Sequence, residues 1–314
     1  MQPKFPQGKI SATFVDFSER TDFYDKMLQC EPEYWRTEIR DLRDAGITDI
    51  VIARTVLAGK AHYHSELLEE WSETDPVAAL MQAAAENNVG VYLGLDLNLH
   101  FWDQDRDFSR MLKRDLNLNH HILSELLPPY GSNPALKGIY VTHEPDHDNV
   151  LTAERTKALQ EFLGDMYQLI KTECGLPVFC SPFFAKSPPP EELAAWWSEF
   201  IDRPMFDIVA MQDGVGCVRN IAPEDIPPLY TELAKVFAAQ KIQFWNNVET
   251  FTIIKRGLPL APAPMERIAQ QYELGRPFVE RTITWEYSHF LGRQLLGKER
   301  YETFRRWNLS KPLK

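Results

Sequence analysis

The sequence predicts a (β/α)8 barrel that spans residues 1–314 as one domain. About eight apolar segments with strand character alternate with helical segments, and no linker or low-complexity stretch interrupts them. Strands that alternate with helices form a parallel sheet, and eight such units at this length favour a closed barrel. The first strand is followed by VDFSER rather than by G-x-G-x-x-G, which disfavours an open dinucleotide-binding sheet.

Runs of β-branched and aromatic residues predict the eight strands. The clearest run is TDIVIARTVLA, which is rich in Val and Ile, as the buried strands of parallel sheets are. The predicted strands cover residues 9–17, 48–58, 90–98, 136–144, 177–184, 206–216, 242–251 and 281–290.

Apolar residues at helical spacing predict a helix after each of the first seven strands. Gly46 is a stop signal for the first helix, and Asp75-Pro76 opens the second as its N-cap and first helical residue. The third helix is predicted to have about 17 residues and to end near Pro128-Pro129. The other predicted helices cover 33–46, 75–88, 152–173, 191–201, 225–240 and 265–275.

The composition bounds the class of protein and its partners. Hydrophobic residues make up 44% and charged residues 25%, which is typical of a soluble globular protein. The net charge of −11 argues against nucleic acid or an anionic membrane as the main partner, and no apolar run reaches the length of a transmembrane helix. The four cysteines form no C-x-x-C pair, and the start MQPKFPQGK has no signal-peptide core. We therefore expect a cytoplasmic protein, or a secreted or periplasmic one if a leader was removed.

The stretch HEPDH at 143–147 matches the H-E-x-x-H pattern of zinc proteases. That pattern needs a helix, because only a helix places both histidines on the same face, where they can hold one metal ion. Here β-branched and aromatic residues precede the stretch, and Pro145 pushes Glu144 toward extended backbone. The sequence therefore predicts that Glu144 is a carboxylate at the end of strand four and that no metal is bound there.

Two glutamates stand out at the C-terminal ends of the strands, where the sites of (β/α)8 barrels form. Glu144 closes predicted strand four and Glu249 closes predicted strand seven, on roughly opposite sides of the barrel mouth. Glycoside hydrolysis needs two such carboxyl groups, one to protonate the leaving oxygen and one to act as nucleophile or base. The structural alternative is that each pairs with an arginine such as Arg54 and stabilises the barrel rim.

This arrangement resembles the large clan of retaining (β/α)8 glycoside hydrolases. The resemblance implies that Glu144 is the acid/base and Glu249 the nucleophile. His143 stands where the clan usually has an asparagine that contacts the sugar 2-hydroxyl, and a histidine also donates a hydrogen bond at that place.

Three phrases carry a second, more specific resemblance: SPFF (181–184), QDGVG (212–216) and WNNVETF (245–251). They resemble a bacterial barrel family of unknown function whose members carry a glycoside hydrolase label. This resemblance spans most of the chain. It implies a hydrolase that acts on an oligosaccharide or polysaccharide and that needs no cofactor.

Other strand-end side chains are expected to bind the sugar. Aromatic rings suit the C–H face of a pyranose, and Tyr140, Trp245 and Trp285 are expected to form an apolar wall that keeps one carboxyl protonated. The structural alternatives are core packing for the rings and a tight turn for Asp213-Gly214. The expected substrate-binding residues are Asp16, Asp96, His100, Trp102, Tyr140, His143, Phe184, Gln212, Asp213, Trp245, Asn247, Trp285 and Glu286.

Two other functions stay open at this point. A metal-dependent barrel hydrolase would use His62, His64 and Asp96, provided that these ligands converge from several strands. A carbohydrate-binding barrel without turnover would keep the aromatic cleft and release no product from any glycan. Metal that stays bound through purification would support the first alternative.

Overall fold

The computed structural model describes residues 7–104, 106–148, 150, 152–183, 188–217, 221–255 and 259–311. Eight parallel strands, numbered β1 to β8 in chain order, form a closed barrel in which consecutive strands pair and β8 returns to β1. The predicted (β/α)8 barrel is confirmed. The strands are β1 Ala12–Val15, β2 Asp49–Ile52, β3 Gly90–Gly94, β4 Leu136–Val141, β5 Val178–Cys180, β6 Ile208–Gln212, β7 Gln243–Glu249 and β8 Arg281–Trp285.

Helices α1 to α7 follow β1 to β7 in turn, and α8 to α10 follow β8. Asp75 caps α2 as predicted, since its side chain accepts the Ala78 N–H. None of the helices in these ranges combines the length and apolar character needed to cross a bilayer. The helices are α1 Pro32–Asp44, α2 Pro76–Asn87, α3 Phe108–Tyr130, α4 Ala153–Glu173, α5 Pro190–Phe200, α6 Ile226–Ala239, α7 Met265–Gly275, α8 Tyr287–Phe290, α9 Arg293–Leu296 and α10 Lys298–Leu309.

The C-terminal parts of predicted strands two and three leave the barrel and join two further short strands in a separate four-stranded sheet, here called the rim sheet. It consists of Val56–Leu57, Lys60–Ala61, Glu70–Trp71 and Asp96–Leu97. Its hairpin turns at Ala58 and Gly59, whose φ values of 51° and 85° are those of a two-residue turn between antiparallel strands. The sequence pattern did not predict this sheet, because a continuous apolar run does not show where a strand leaves the barrel.

Predicted strand eight is too long at its C-terminal end. It was expected to reach residue 290, but β8 ends at Trp285 and α8 begins two residues later. The reason is local: the Glu286 carboxylate accepts the backbone N–H groups of Ser288 at 2.9 Å and His289 at 2.7 Å, which caps a helix.

The inside of the barrel is filled by large side chains. Side chains alternate along a strand, so the polar residues that point inward at the C-terminal strand ends follow the same alternation as the inner layer below them. The inner layer contains Ala12, Phe14, Val51, Ala53, Tyr92, Tyr140, Phe179, Ile208, Ala210, Trp245 and Ile283. Trp285 packs on this layer from above, so the barrel has a solid floor beneath its mouth.

At the opposite end of the barrel, Asn308 of α10 ties the helix to two other segments. Its side chain accepts the Ile10 N–H at 2.7 Å and donates to the carbonyl groups of Ile10 and Ala45, each at 2.8 Å. The side chain is buried, so water cannot replace these bonds.

We predict that Asn308→Ala lowers the free energy of unfolding by at least about 2 kcal/mol, since each buried group left unsatisfied costs about 1–3 kcal/mol. Urea denaturation followed by circular dichroism measures the change. Arg306→Ala, on an exposed turn of the same helix, is the control and is expected to change stability by less than about 0.5 kcal/mol. Equal stability of both variants would contradict the role given to Asn308.

Candidate active site

Glu144 lies at the barrel mouth, just beyond the end of β4, with its side chain partly exposed. Burial raises the pKa of Glu144 to about 7, although a hydrogen bond with Gln212 and the positive charge of Arg54 both lower it. Gln212 ends β6 and Arg54 follows β2, so the two partners approach Glu144 from different sides of the barrel. The Glu144 carboxyl group therefore lies at the mouth, between these two partners.

A buried ion pair joins Asp16, which follows β1, to Arg54. Arg54 Nη2 lies 2.9 Å from Asp16 Oδ2, which also accepts the hydroxyl groups of Tyr24 at 2.8 Å and Ser18 at 2.9 Å. Burial alone would raise the pKa of Asp16, but the Arg54 charge and these hydrogen bonds bring it below its usual value. Asp16 is thus an ionised group whose oxygens are already engaged, and it fixes Arg54 beside Glu144.

Glu249, the last residue of β7, is fully buried on the inner face of its strand. Its Oε2 accepts the backbone N–H groups of Gly216 at 2.6 Å and Cys217 at 2.7 Å, whereas Oε1 has no hydrogen-bond partner within the described ranges. Gly216 suits this contact because a Cβ there would lie 2.3 Å from the Phe251 carbonyl oxygen. The loop after β6 therefore packs directly on the Glu249 carboxyl group.

A second carboxyl group, Asp213, lies close behind Glu249. Its Oδ2 accepts Gln271 Nε2 of α7 at 2.6 Å, and its Oδ1 accepts the Glu249 N–H at 3.3 Å. Burial and then the Asp213 charge raise the pKa of Glu249 to about 8, and burial raises the pKa of Asp213 to about 6. Arg267, also on α7, donates to the Glu249 carbonyl oxygen at 2.9 Å. Two α7 side chains thus hold the end of β7 and its neighbouring carboxylate.

The thiol of Cys217 lies near both glutamates. Burial, then the charge of Glu249 and then that of Glu144 raise the pKa of this thiol to about 12. The loop after β6 thus contacts Glu249 directly through the Cys217 N–H, and Glu144 lies within electrostatic range of the Cys217 thiol.

Four other expected substrate-binding residues surround this place. Gln212 Nε2 donates to the Ser181 carbonyl oxygen at 2.9 Å, and Asn247 Nδ2 donates to the Ser181 hydroxyl at 3.0 Å. The rings of Tyr140 and Trp285 pack against Phe14, with centroids 5.2 and 5.0 Å away. Within the described chain the Asn247 Oδ1 atom keeps no partner, which leaves an acceptor below the mouth.

Three expected site residues lie away from the mouth. His143 faces the helices: its Nε2 lies 3.0 Å from Asp115 of α3, and its ring lies 4.4 Å from that of Phe162 of α4. Trp245 packs low in the barrel, under the Arg281 guanidinium at 4.8 Å. Glu286 is occupied by capping α8. We leave these three out of the proposed site; Phe184 lies outside the described residues.

Three more expected residues come from the segment after β3. Asp96 is buried, and burial followed by the charge of Asp115 raises its pKa to about 7. His100 is exposed and lies 2.9 Å from Asp103. The Trp102 ring is 37% exposed, so it is free to contact a ligand at the rim.

The three residues of the metal alternative are held apart by separate partners. His62 Nδ1 lies 3.4 Å from the Ser72 hydroxyl, the exposed His64 ring packs on Trp71 at 5.3 Å, and Asp96 lies by Asp115. Within the described part of the chain, no three His, Cys, Asp or Glu side chains are grouped closely enough to hold a metal ion.

Sequence reasoning missed the residues that hold the carboxyl groups in place. They are Arg54, which was considered only as a rim ion pair, together with Ser181, Gly216, Cys217, Arg267 and Gln271. Arg54 directly follows β2 and a survey of every polar strand end would have found it. The α7 side chains gave no such signal, because they reach the site from a helix.

The fold is shared with several solved structures. A crystal structure of a putative alpha-L-fucosidase from Bacteroides thetaiotaomicron VPI-5482 is similar over 98% of this chain and 97% of its own, with a TM-score of 0.80 and 22% identity. The GH99 endo-alpha-mannosidase from Bacteroides thetaiotaomicron aligns over 96% of each chain, with a TM-score of 0.57 and 11% identity. A GH113 beta-1,4-mannanase aligns over 98% of this chain and 100% of its own, with a TM-score of 0.57 and 10% identity.

Sequence comparison gives the family. No protein of curated function matches the chain. The family model described as Domain of unknown function (DUF4434) matches residues 10–294. This range contains all eight barrel strands and helices α1 to α8, and the chain belongs to the DUF4434 family.

Proposed function

We propose that the protein is a glycoside hydrolase that cleaves a glycosidic bond with net retention. The observation that carries this proposal is the pair of carboxyl groups beyond β4 and at the end of β7, both bordered by Cys217 at the mouth of one barrel. Glycoside hydrolysis requires two carboxyl groups on either side of the scissile bond. The similarity in fold to proteins described as a fucosidase, a mannosidase and a mannanase supports the same reaction class.

Glu144 is the proposed acid/base. Its pKa of about 7 keeps a large fraction of the group protonated near neutral pH, as an acid that protonates a leaving oxygen must be. Its partly exposed side chain can also reach water in the second step. There it accepts a proton from the water molecule that releases the sugar.

Glu249 is the proposed nucleophile. Two backbone N–H groups fix Oε2, so that the unpartnered Oε1 is the oxygen available to attack the anomeric carbon. The C–O bond to the leaving group breaks as the bond to Oε1 forms, and hydrolysis later restores the free carboxylate. Glu249 is fully buried in this structure, so Oε1 must become accessible when substrate enters.

The expected substrate is an oligosaccharide or polysaccharide. A first panel follows from the names of the similar structures: 4-nitrophenyl α-L-fucoside, both 4-nitrophenyl mannosides, and β-1,4-manno-oligosaccharides of two to six units. Release of 4-nitrophenol or of reducing ends measures turnover. Proton NMR of the first-formed product gives the anomeric configuration and tests retention.

We predict that Glu144→Gln lowers kcat by about 10²–10⁴-fold on natural linkages, since it removes a general acid. The loss is expected to be smaller on 4-nitrophenyl glycosides, whose leaving group needs little protonation, and azide is expected to restore turnover with a product of retained configuration. Glu249→Gln is expected to be less active on both substrate types, and azide is expected to give the inverted product.

The exposed Glu199→Gln, on α5, is the matched control and should behave as the unaltered protein. Unchanged turnover in Glu249→Gln would sink the two-carboxylate mechanism. The same result with azide in both variants would contradict the separate roles.

The pH dependence of kcat/KM follows from the two raised pKa values. The active form carries one proton on Glu144 and none on Glu249, whose pKa values are about 7 and about 8. Because Glu249 is the weaker acid, most singly protonated molecules carry the proton on Glu249, and the active form is the minor of the two. Below about 7 both groups are protonated, and above about 8 both are ionised, so activity falls on each side. We predict a bell-shaped profile with its maximum between these values. An optimum near pH 5 would contradict the prediction.

The variant Asp213→Asn tests whether the charge of Asp213 sets the basic limb of the pH profile. Removing the negative charge beside Glu249 is expected to lower its pKa, because a like charge disfavours ionisation. The basic limb of the kcat/KM profile then moves from about 8 toward about 7, where Glu144 controls it. Measuring the profile of both proteins at equal ionic strength checks this shift, and an unmoved basic limb would refute it.

A further inference from the structure

A cavity of about 380 Å³ opens beside the mouth, between the loop that follows β1 and the rim sheet. We call it the rim cavity. Its volume falls in the range of small-molecule sites, roughly 300–1,000 Å³. Residues that border it include Ser18, Leu57, Lys60, His62, Glu70 and Leu99.

The rim cavity is linked to the candidate active site by a short series of polar contacts. Ser18 borders the cavity and donates its hydroxyl to Asp16 Oδ2 at 2.9 Å. Asp16 in turn holds Arg54, whose charge acts on Glu144. Ser18, Asp16 and Arg54 thus connect the cavity wall to the side of the mouth on which Glu144 lies.

The two cations that border the rim cavity are each paired with a carboxylate, and Glu70 adds a negative charge. Lys60 pairs with Glu19 at 3.4 Å, and Arg20 pairs with Asp22 at 2.7 Å. The protein as a whole carries a net charge of −11, which repels anions. An uncharged ligand with many hydroxyl groups therefore suits the cavity better than an acidic one.

His62 borders the cavity, and its ring carries a buried hydrogen-bonding atom that has no partner in the described chain. Its side chain is only 5% exposed, its Nδ1 lies by Ser72, and in the described chain its Nε2 has no partner. Burial lowers the pKa of His62 to about 4, so the ring is neutral at physiological pH. A neutral imidazole suits a sugar hydroxyl, which both donates and accepts.

The exposed apolar side chains of the described chain are concentrated on the same face. They lie after β2, β3 and β7 rather than on the opposite end of the barrel. Exposed rings and alkyl groups beside polar groups are typical of surfaces that bind sugars. These side chains are Leu67, Trp71, Leu99, Trp102 and Ile254.

We infer that the rim cavity is a second sugar subsite, which binds one uncharged sugar unit of a chain whose next unit occupies the mouth. Leu57 and Leu99 contact the C–H face of that unit, and Lys60 and His62 hydrogen-bond its hydroxyl groups. This inference rests on the proposed function and narrows it: the substrate is a neutral glycan of two or more units.

A glycan array with neutral and acidic chains of one to six units tests the inference. Glu144→Gln is used as the background, because it prevents turnover. On that background we compare Leu99→Ala and His62→Phe with the control Glu199→Gln, at an exposed position of α5 that does not border the cavity. Thermal melting checks the fold of each variant, and the exposed Leu99 keeps the test valid if His62→Phe does not fold.

The expected result is binding of neutral chains of at least two units, weakened about tenfold by Leu99→Ala and His62→Phe. The Glu199→Gln control should bind these chains as the background protein does, and neither cavity variant should change the binding of single sugars. Equal binding by all three variants would overturn the subsite and leave the proposed function standing. Exclusive binding of acidic chains would overturn the neutral class. If no glycan binds the Glu144→Gln protein at all, the proposed function itself fails.

Discussion

The alternation of side chains along the barrel strands decides which polar residues can meet at the mouth. On β7, Trp245, Asn247 and Glu249 share the inner face, whereas Asn246 points outward and accepts the Tyr230 hydroxyl at 2.7 Å. A shift of one residue would exchange the two sets and send the carboxyl group to the helices. The candidate site therefore depends on the strand register before it depends on any single carboxylate. The inner aromatic layer maintains that register, because its large side chains pack in only one phase.

The positive charge of Arg54 acts unequally on the carboxyl groups of the mouth, and the proposed chemistry depends on this difference. Arg54 gives its closest contact to Asp16, so that Asp16 is ionised and fully bonded. Glu144 receives a weaker share of the same charge and keeps a raised pKa. Glu249 has no cation bonded to its carboxyl oxygens in the described chain. Burial and the like charge of Asp213 raise its pKa, and two backbone N–H groups and the charge of Arg267 lower it only in part. Two groups that titrate near neutral pH result from burial that is only partly compensated, which is the usual physical origin of perturbed acids in active sites.

The sequence predicted the barrel and the two strand-end glutamates because both follow from periodic patterns. A buried parallel strand is apolar throughout, and its C-terminal end is marked where polar residues begin. What it did not predict depends on contacts that such patterns do not show. His143 was expected at the mouth, yet Asp115 of α3 holds it among the helices. Glu286 was expected to bind substrate, but a local cap uses its carboxylate. The apolar periodicity of the neighbouring residues shows neither contact.

The rim sheet is separate from the elements that hold the two proposed catalytic carboxyl groups. It is attached to the barrel where Val56 pairs with Asp96, beyond the ends of β2 and β3, and its outer strand Glu70–Trp71 is exposed. The proposed catalytic carboxyl groups belong to β4 and β7 and are held by α7 and by the loop after β6. Replacing side chains on the rim sheet therefore leaves the hydrogen bonds of both glutamates intact. If the proposed function holds, a barrel built in this way can change the glycan that it binds through one pair of loops, while the strands that position the proposed acid and nucleophile stay as they are.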